Sequence, residues 1–309
     1  MPFSFHTHSG QFCRHASGDL EDVVRAAISK GMLVLGLSEH MPRSRAQDLY
    51  PEEEEHGMTP LDLQTAFEAY VSEARRLQAK YLGQISILIG AETEYITSSS
   101  LSEAKQLRLT HRLDYLVGSV HHIDEMPLDF SKGGYDRMVE ARFGGDRAAM
   151  FRRYFDQQLE MLQALQPEIV GHFDLVRIFH PYAQGVEDPL LAVDDEVRRR
   201  ASRNIDYVIS YGGIFEINSR AWKKGLGGAY PQRDLLAEIV HKGGRVTISD
   251  DSHGSEDVGM YYGRLLGYLQ EMGVHDLYYL QAREDGQEGV QALVLERATE
   301  HEFWQRDWD

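Results

Sequence analysis

The stretch Ile85-Ser86-Ile87-Leu88-Ile89-Gly90-Ala91-Glu92 sets the reading of this chain. It is an apolar, β-branched run of strand length that ends in a carboxylate. A carboxylate in that position must be paired or hold a metal ion, and one carboxylate can bridge two ions. Glu94 lies on the same face by alternation and is its rival. Outward from this run, similar strand-like segments lie at 3–6, 33–38, 113–121, 168–173, 213–218 and 245–250, and most of them close on histidine or acid. The first runs into His6-Thr7-His8, the second into Ser38-Glu39-His40, the next into Val120-His121-His122 and Gly171-His172, and the last into Asp250-Asp251-Ser252-His253.

Between the strands lie amphipathic stretches near 18–30, 60–81, 101–111, 147–165, 193–211, 232–242 and 257–272. Leu61, Phe67, Tyr70, Ala74, Leu77 and Tyr81 keep helical spacing. Regular strand–helix alternation argues for a parallel sheet. Seven units predict a (β/α) barrel one unit short of the usual eight, with a doubly wound open sheet as the alternative. Segments 48–60 and 178–188 read as surface loops, and 124–146, punctuated by Gly133-Gly134 and Gly144-Gly145, reads as a lid. Segments 277–282 and 290–296 flank Gly286 and Gly289 and predict a hairpin. No interdomain linker is visible, so 1–309 reads as one domain, with about 276–309 as an extension packed on the barrel.

Composition narrows the function. With 309 residues the chain buries roughly 75% of its unfolded surface and needs no covalent staples. Its single cysteine, Cys13, excludes an internal disulfide. The N-terminus lacks a basic region followed by a long apolar one, and no run of 18 apolar residues exists, so no secretory signal or membrane span is expected and a cytoplasmic location is the default. A net charge of −17 repels polyanions and argues against nonspecific nucleic-acid binding. It does not argue against a small anionic substrate, because bound cations can reverse the local field.

The candidate chemistry lies in the strand ends. His6 and His8 alternate, so an ideal strand aims both imidazoles at one ion, and Asp251 and His253 repeat the spacing with Asp250 as competitor. His15 follows in a Gly/Ser-rich loop able to fold back, although alone it would read as a solvated loop histidine. His121 and His122 point to opposite faces of an ideal strand, so only one of them is expected to reach an ion. Eight of the fourteen histidines fall in these clusters or the adjoining loop, whereas His56, His111, His180, His241, His275 and His301 read as ordinary helix or loop residues. Imidazoles and carboxylates gathered at successive strand ends are what a multinuclear metallohydrolase needs.

In this order, His6-Thr7-His8, His15, Ser38-Glu39-His40, Glu92, Gly118-Ser119-Val120-His121, His172 and Asp251-Ser252-His253 resemble the metal signature of the polymerase and histidinol phosphatase (PHP) superfamily. The segments Gly10-Gln11-Phe12-Cys13-Arg14-His15, Asp48-Leu49-Tyr50-Pro51-Glu52-Glu53 and Glu92-Thr93-Glu94 look like its stand-alone, fungal-type histidinol-phosphatase branch. The resemblance implies a distorted (β/α)7, TIM-like barrel with two to three divalent ions (Zn, Mn or Fe) at the C-terminal strand ends. It assigns His6, His8, Glu92 and Asp251 to one ion, Glu92, His121 and His172 to a second, and His15, His40 and His253 to a third. Its choice of His121 over His122 follows from the Gly-Ser-Val-His pattern.

The implied reaction is hydrolysis of a small phosphate monoester, L-histidinol phosphate, in histidine biosynthesis. Water activated between the first two ions attacks phosphorus, and Glu92, Asp251 and His253 carry the catalysis. Arg177 and Arg220 are candidates for phosphate binding, against surface salt bridges as the plainer reading. Glu94, Asp124 and the 124–146 segment are candidates for reading the amine and imidazole.

Other readings stay open on the sequence. A nuclease would want a basic groove, which the composition does not offer. Another phosphomonoesterase or a phosphotyrosine phosphatase fits the same site. An amidohydrolase barrel also begins with His-x-His but often bridges its ions with a carboxylated lysine, where this chain offers Glu92. A non-catalytic metal-binding protein predicts bound ions without turnover.

Overall fold

The computed structural model describes residues 3–180, 194–282, 289–306 and 308. The strands are β1 (Phe3–Ser4), β2 (Val34–Leu37), β3 (Ser86–Glu92), β4 (Tyr115–Gly118), β5 (His122–Ile123), β6 (Met126–Pro127), β7 (Ile169–Val170), β8 (Ile214–Asn218), β9 (Arg245–Ser249), β10 (Leu277–Ala282) and β11 (Val290–Leu295). The helices are α1 (Leu20–Ser29), α2 (Pro51–Glu55), α3 (Pro60–Lys80), α4 (Ser98–His111), α5 (Lys132–Phe143), α6 (Arg147–Leu165), α7 (Asp195–Tyr211), α8 (Arg220–Lys223), α9 (Arg233–His241) and α10 (Tyr262–Glu271).

Seven strands form one sheet in the order β1-β2-β3-β4-β7-β8-β9, every neighbouring pair parallel. The ring nearly closes beyond the strands proper, where Thr7 bridges Ser252 and the His8 N–H donates to Ser252 O at 2.7 Å. The expected seven-stranded barrel is therefore the fold, and the open doubly wound sheet is not.

Register and sterics fill the interior. Gly90 pairs with Tyr115, and a Cβ at Gly90 would stand 2.5 Å from the Tyr115 ring. A Cβ at Gly36 would stand 2.3 Å from its hydroxyl oxygen. The two glycines let the ring cross from β4 towards β1, where its hydroxyl lies 2.9 Å from Phe5 O and 3.2 Å from Leu37 O. Phe5 packs edge-on against it and is fully buried, worth roughly 1.5–3 kcal/mol of burial. At the far end of the barrel, Tyr279 of the β10–β11 hairpin stacks on Phe3 at 5.6 Å. Phe303 and Trp308 pack on Tyr262 beside it. The hairpin strands match the expected segments, and the Gly286 turn lies outside the described residues.

Two segments differ from expectation. The stretch 48–60 is not a plain loop: Pro51 opens α2, the Glu53 carboxylate accepts from Tyr50 N at 2.8 Å, and buried Glu53 pairs with buried Arg43. This folds Tyr50 inwards. The stretch 124–146 is no free lid. It begins in the β5–β6 hairpin and runs into α5, whose Tyr135, Met138 and Val139 are buried in the core. The glycines that suggested mobility lie at the first turn and at the C-terminal end of this helix, where Gly144 adopts the left-handed conformation. The loop expected at 178–188 falls largely outside the described residues.

Candidate metal centre

Glu92 ends β3 at the mouth of the barrel, 1% exposed. Its Oε1 lies 3.1 Å from His6 Nε2, 3.2 Å from His121 Nε2 and 3.0 Å from His172 Nε2. Its Oε2 lies 3.4 Å from His8 Nε2 and 3.0 Å from His40 Nδ1. No carboxylate needs five imidazoles for hydrogen bonding alone. His121 Nε2 and His172 Nε2 also face one another at 3.2 Å. Asp251 Oδ1 stands 3.6 Å from both His6 Nε2 and His8 Nε2.

His6 and His8 reach this cluster by a route that simple alternation does not give. Strand β1 ends at Ser4 and the chain bends at Phe5. Phe5 therefore stays in the interior while His6, the next residue, also turns to the mouth. Asp251 adopts φ +46°, a left-handed conformation that costs a non-glycine residue about 1–3 kcal/mol. Asp250 faces the other way, accepting from Ser4 Oγ at 2.8 Å and Gly259 N at 2.5 Å. One backbone turn thus aims Asp251, and not Asp250, at the cluster.

A second layer holds the rings. Glu216 Oε1 lies 2.8 Å from His6 Nδ1, and its Oε2 accepts from His172 N at 2.7 Å. Glu94 Oε1 lies 2.8 Å from His40 Nδ1 and accepts the Tyr50 hydroxyl at 2.6 Å, while its Oε2 lies 3.3 Å from His121 Nδ1. Glu39 accepts from Ser9 N and Ser9 Oγ and turns its other oxygen towards His8 Nδ1 at 3.6 Å. His253 Nδ1 lies 3.0 Å from Asp251 O. Carboxylates or carbonyls behind Nδ1 leave Nε2 free for an ion, the usual partnership in metal sites. Glu94 thus serves the site from behind and is no replacement for Glu92. Glu216 escapes a search for strand-end ligands, whereas Glu39 is visible within the strand end Ser38-Glu39-His40. The signal available for Glu216 is a carboxylate at mid-strand in the apolar run Ile214-Phe215-Glu216-Ile217.

Charge in the cluster is tightly coupled. Burial by itself would push the Glu92 carboxyl up, but His6, His121 and His40 outweigh it and hold it well below the usual range. Burial opposes a proton on His6, yet Asp251, Glu92 and Glu216 raise that ring well above its ordinary value. Glu216 is depressed to about 2, its own burial overcome chiefly by His6. Burial carries Glu39 up to about 7 against the hydrogen bonds of Ser9.

The donor set fits divalent cations. His8 Nε2 and His6 Nε2 are buried without a hydrogen-bond partner among the described residues. Donor atoms lie within 4.8 Å of one another in the sets His6–His8–Glu92, Glu92–His121–His172, His6–His172–Asp251 and His8–His40–His253. His15 is exposed, with its ring 5.2 Å from that of His40 and 5.1 Å from that of His253, and it forms a further set with Cys13 and His40.

The other sequence candidates divide. His121 joins the cluster, whereas His122 packs towards Phe130. Arg220 lines the cavity of about 220 Å³ above the cluster and donates to Asp251 O at 2.9 Å. Arg177 does not line it. The short turn 175–177 sends its guanidinium back to Asp174 at 2.6 Å and Ala229 O at 2.6 Å, over the Tyr230 ring. Tyr50, Asp129, Phe130 and Tyr230 line the cavity and were not singled out by sequence. Among the described residues, no helix is long and apolar enough to cross a membrane.

Comparisons with known proteins agree with this geometry. The family model of the PHP domain matches residues 4–220. A probable histidinol-phosphatase of Schizosaccharomyces pombe is 43% identical over 308 residues, covering 99% of this chain and 97% of that protein. The histidinol-phosphatase of Saccharomyces cerevisiae is 30% identical over 327 residues, covering 97% of each. The crystal structure of histidinol phosphate phosphatase from Lactococcus lactis, complexed with zinc, L-histidinol and phosphate, superposes with a TM-score of 0.63 at 22% identity, covering 89% of this chain and 95% of that one. A solved chain from Listeria monocytogenes gives a TM-score of 0.71 at 20% identity, over 85% of this chain and 99% of that one. A near-closed barrel of seven parallel strands, a shared glutamate ringed by imidazoles and end-to-end kinship with both fungal proteins lead to one conclusion: this chain belongs to the PHP family.

Proposed function

We propose that the protein hydrolyses L-histidinol phosphate to L-histidinol and phosphate, acting as one unit of 309 residues in the cytoplasm as a step of histidine biosynthesis. The observation that carries the reading is Glu92, with three imidazole nitrogens around one oxygen and two around the other. The names of the fungal relatives support the substrate.

His6, His8, Glu92 and Asp251 would hold one ion, Glu92, His121 and His172 a second, and His15, His40 and His253 a third. Zinc, manganese and iron all suit these nitrogen and oxygen donors, and zinc is the ion of the Lactococcus complex. Bound ions would supply Lewis acidity at phosphorus and lower the pKa of an attacking water.

The chain's own residues supply the rest. Glu216, Glu94 and Glu39 fix the tautomers and tilt of the rings. Arg220, held by Asp251 O and Asp257, presents its guanidinium to the phosphate. Arg177 takes a positioning role: it buttresses Tyr230, which lines the cavity. No protein nucleophile is required, so no phosphoenzyme is expected.

The test is phosphate release by metal-reconstituted protein from L-histidinol phosphate, a panel of other phosphomonoesters and a phosphodiester. A strong preference for L-histidinol phosphate is the expected result. Flat or diester-preferring activity would overturn the substrate while leaving the metal centre in place.

A further inference from the structure

A substrate that carries a phosphate at one end and a cationic amine at the other needs a mouth with two differently charged sides. This inference rests on the reading above. The carboxylates near the mouth can be taken in turn. Glu94 is occupied by Tyr50, His40 and His121. Asp124 pairs with Arg153 at 2.7 Å. Glu53 pairs with Arg43, Asp257 with Arg220 and Lys223, and Asp251 belongs to the cluster. Asp129 and Glu52 are the remaining acids that line the cavity.

Asp129 differs from Glu52 in one respect. Its Oδ1 is shielded from solvent and has no hydrogen-bond partner among the described residues. A buried carboxylate oxygen without a donor is costly, and a ligand that brings a charged donor relieves the cost. Its neighbour Phe130 is 40% exposed, and the Phe130 ring meets Tyr50 edge-on at 4.7 Å. Asp129 therefore sits beside an aromatic surface able to receive a flat heterocycle.

Topology separates the two charges. Asp129, Phe130 and Tyr50 come from the connections after β2 and β4. Arg220 and Lys224 come from the connection after β8, on the other arc of the ring. Asp129 thus lines the cavity from one arc, and the cations Arg220 and Lys224 line it from the other.

We infer that Asp129 reads the substrate's ammonium group, with Phe130 and Tyr50 as the platform for its imidazole. The specificity-determining residue of this enzyme is then a loop aspartate outside the metal ligands.

The experiment compares L-histidinol phosphate with 3-(imidazol-4-yl)propyl phosphate, which keeps ring and phosphate and lacks the amine. Wild type and the D129N and D129E variants are assayed on both, with melting temperature and bound metal recorded for each. The expected result is a wild-type preference for the amine of about ten- to a hundredfold in kcat/KM, the scale of a hydrogen bond to a charged group. D129N brings that ratio close to one, mainly through KM, and D129E restores part of it. Equal losses on both substrates, or an undiminished ratio in D129N, overturn the assignment. A wild type that turns over simple phosphomonoesters but not L-histidinol phosphate overturns the proposed substrate instead, and this inference with it.

Discussion

The ring of imidazoles and the rim above it are built on different principles. His6, His8, His121, His172, Asp251 and His253 sit on or just past strands of a rigid barrel, and each ring has a partner behind it or a neighbour across the cluster. Tyr50, Asp129, Phe130, Arg220 and Tyr230 sit on connections of unequal length. On the proposed function, the strands would carry the phosphoester chemistry and the connections the choice of substrate. The prediction is that substitutions in the ring act on metal content and turnover, whereas substitutions in the rim act on KM and on choice between substrates.

The sharpest way to break that division is at Glu92. Replacing Glu92 by Gln removes the charge shared by all the facing rings, and we expect kcat to fall by about a thousandfold or more, equivalent to several kcal/mol of lost charge stabilisation. Elemental analysis should find less bound metal per chain. Full metal loading and full activity in this variant would end the multinuclear reading.

Arg177 and Arg220 provide the next contrast. Arg177→Met leaves the buried Asp174 carboxylate unpaired and should lower unfolding stability by about 3–5 kcal/mol in denaturant titration. Arg220→Met should raise KM for the phosphate ester about tenfold with a much smaller change in the denaturation midpoint. The reverse pattern would restore Arg177 to the phosphate.

A smaller effect is expected behind the ring. Glu216→Gln keeps the shape but weakens the hold on His6, and should cost about 10–100-fold in metal affinity, measured by competition with a chelator.

The smallest effect lies far from the mouth. Glu21 is held down to about 2 by hydrogen bonds from Lys80, Tyr81 and Arg76. Its unfolded value is about 4.3, so its stabilisation is complete above that pH and is lost as pH falls through the folded value. Glu21→Gln should therefore show a slight deficit in melting temperature at pH 7 that shrinks between about pH 4.3 and 2, with activity at neutral pH unaffected. A deficit that does not shrink would show the effect to be packing.

The same division explains what could be read from sequence. Metal chemistry forces rare residue types into apolar strand ends, so His6, Glu92, His172 and Asp251 stand out without any structure. The seven strand–helix units were legible for the same reason of pattern. Glu216 was hidden because a single acid within a strand looks like ordinary alternation. Tyr50 was hidden because the ordering of 48–60 depends on the Arg43–Glu53 pair, a contact across ten residues that no periodicity encodes. Arg177 misled because nearness in sequence to His172 was taken for nearness in space, and the turn at 175–177 reverses its direction. Asp129 lies inside the segment 124–146, which its glycines suggest is a lid and which the structure shows as a hairpin running into a helix.

The tyrosine that threads past Gly36 and Gly90 has a consequence for traffic. With Tyr115 filling the barrel interior and Tyr279 of the hairpin stacked on Phe3 at its far end, the described residues leave the cluster open towards the cavity at the mouth. Whatever occupies the threshold imprisons what lies beneath it. Inorganic phosphate left in place after turnover should therefore slow the stripping of any metal held by the cluster when a chelator is added.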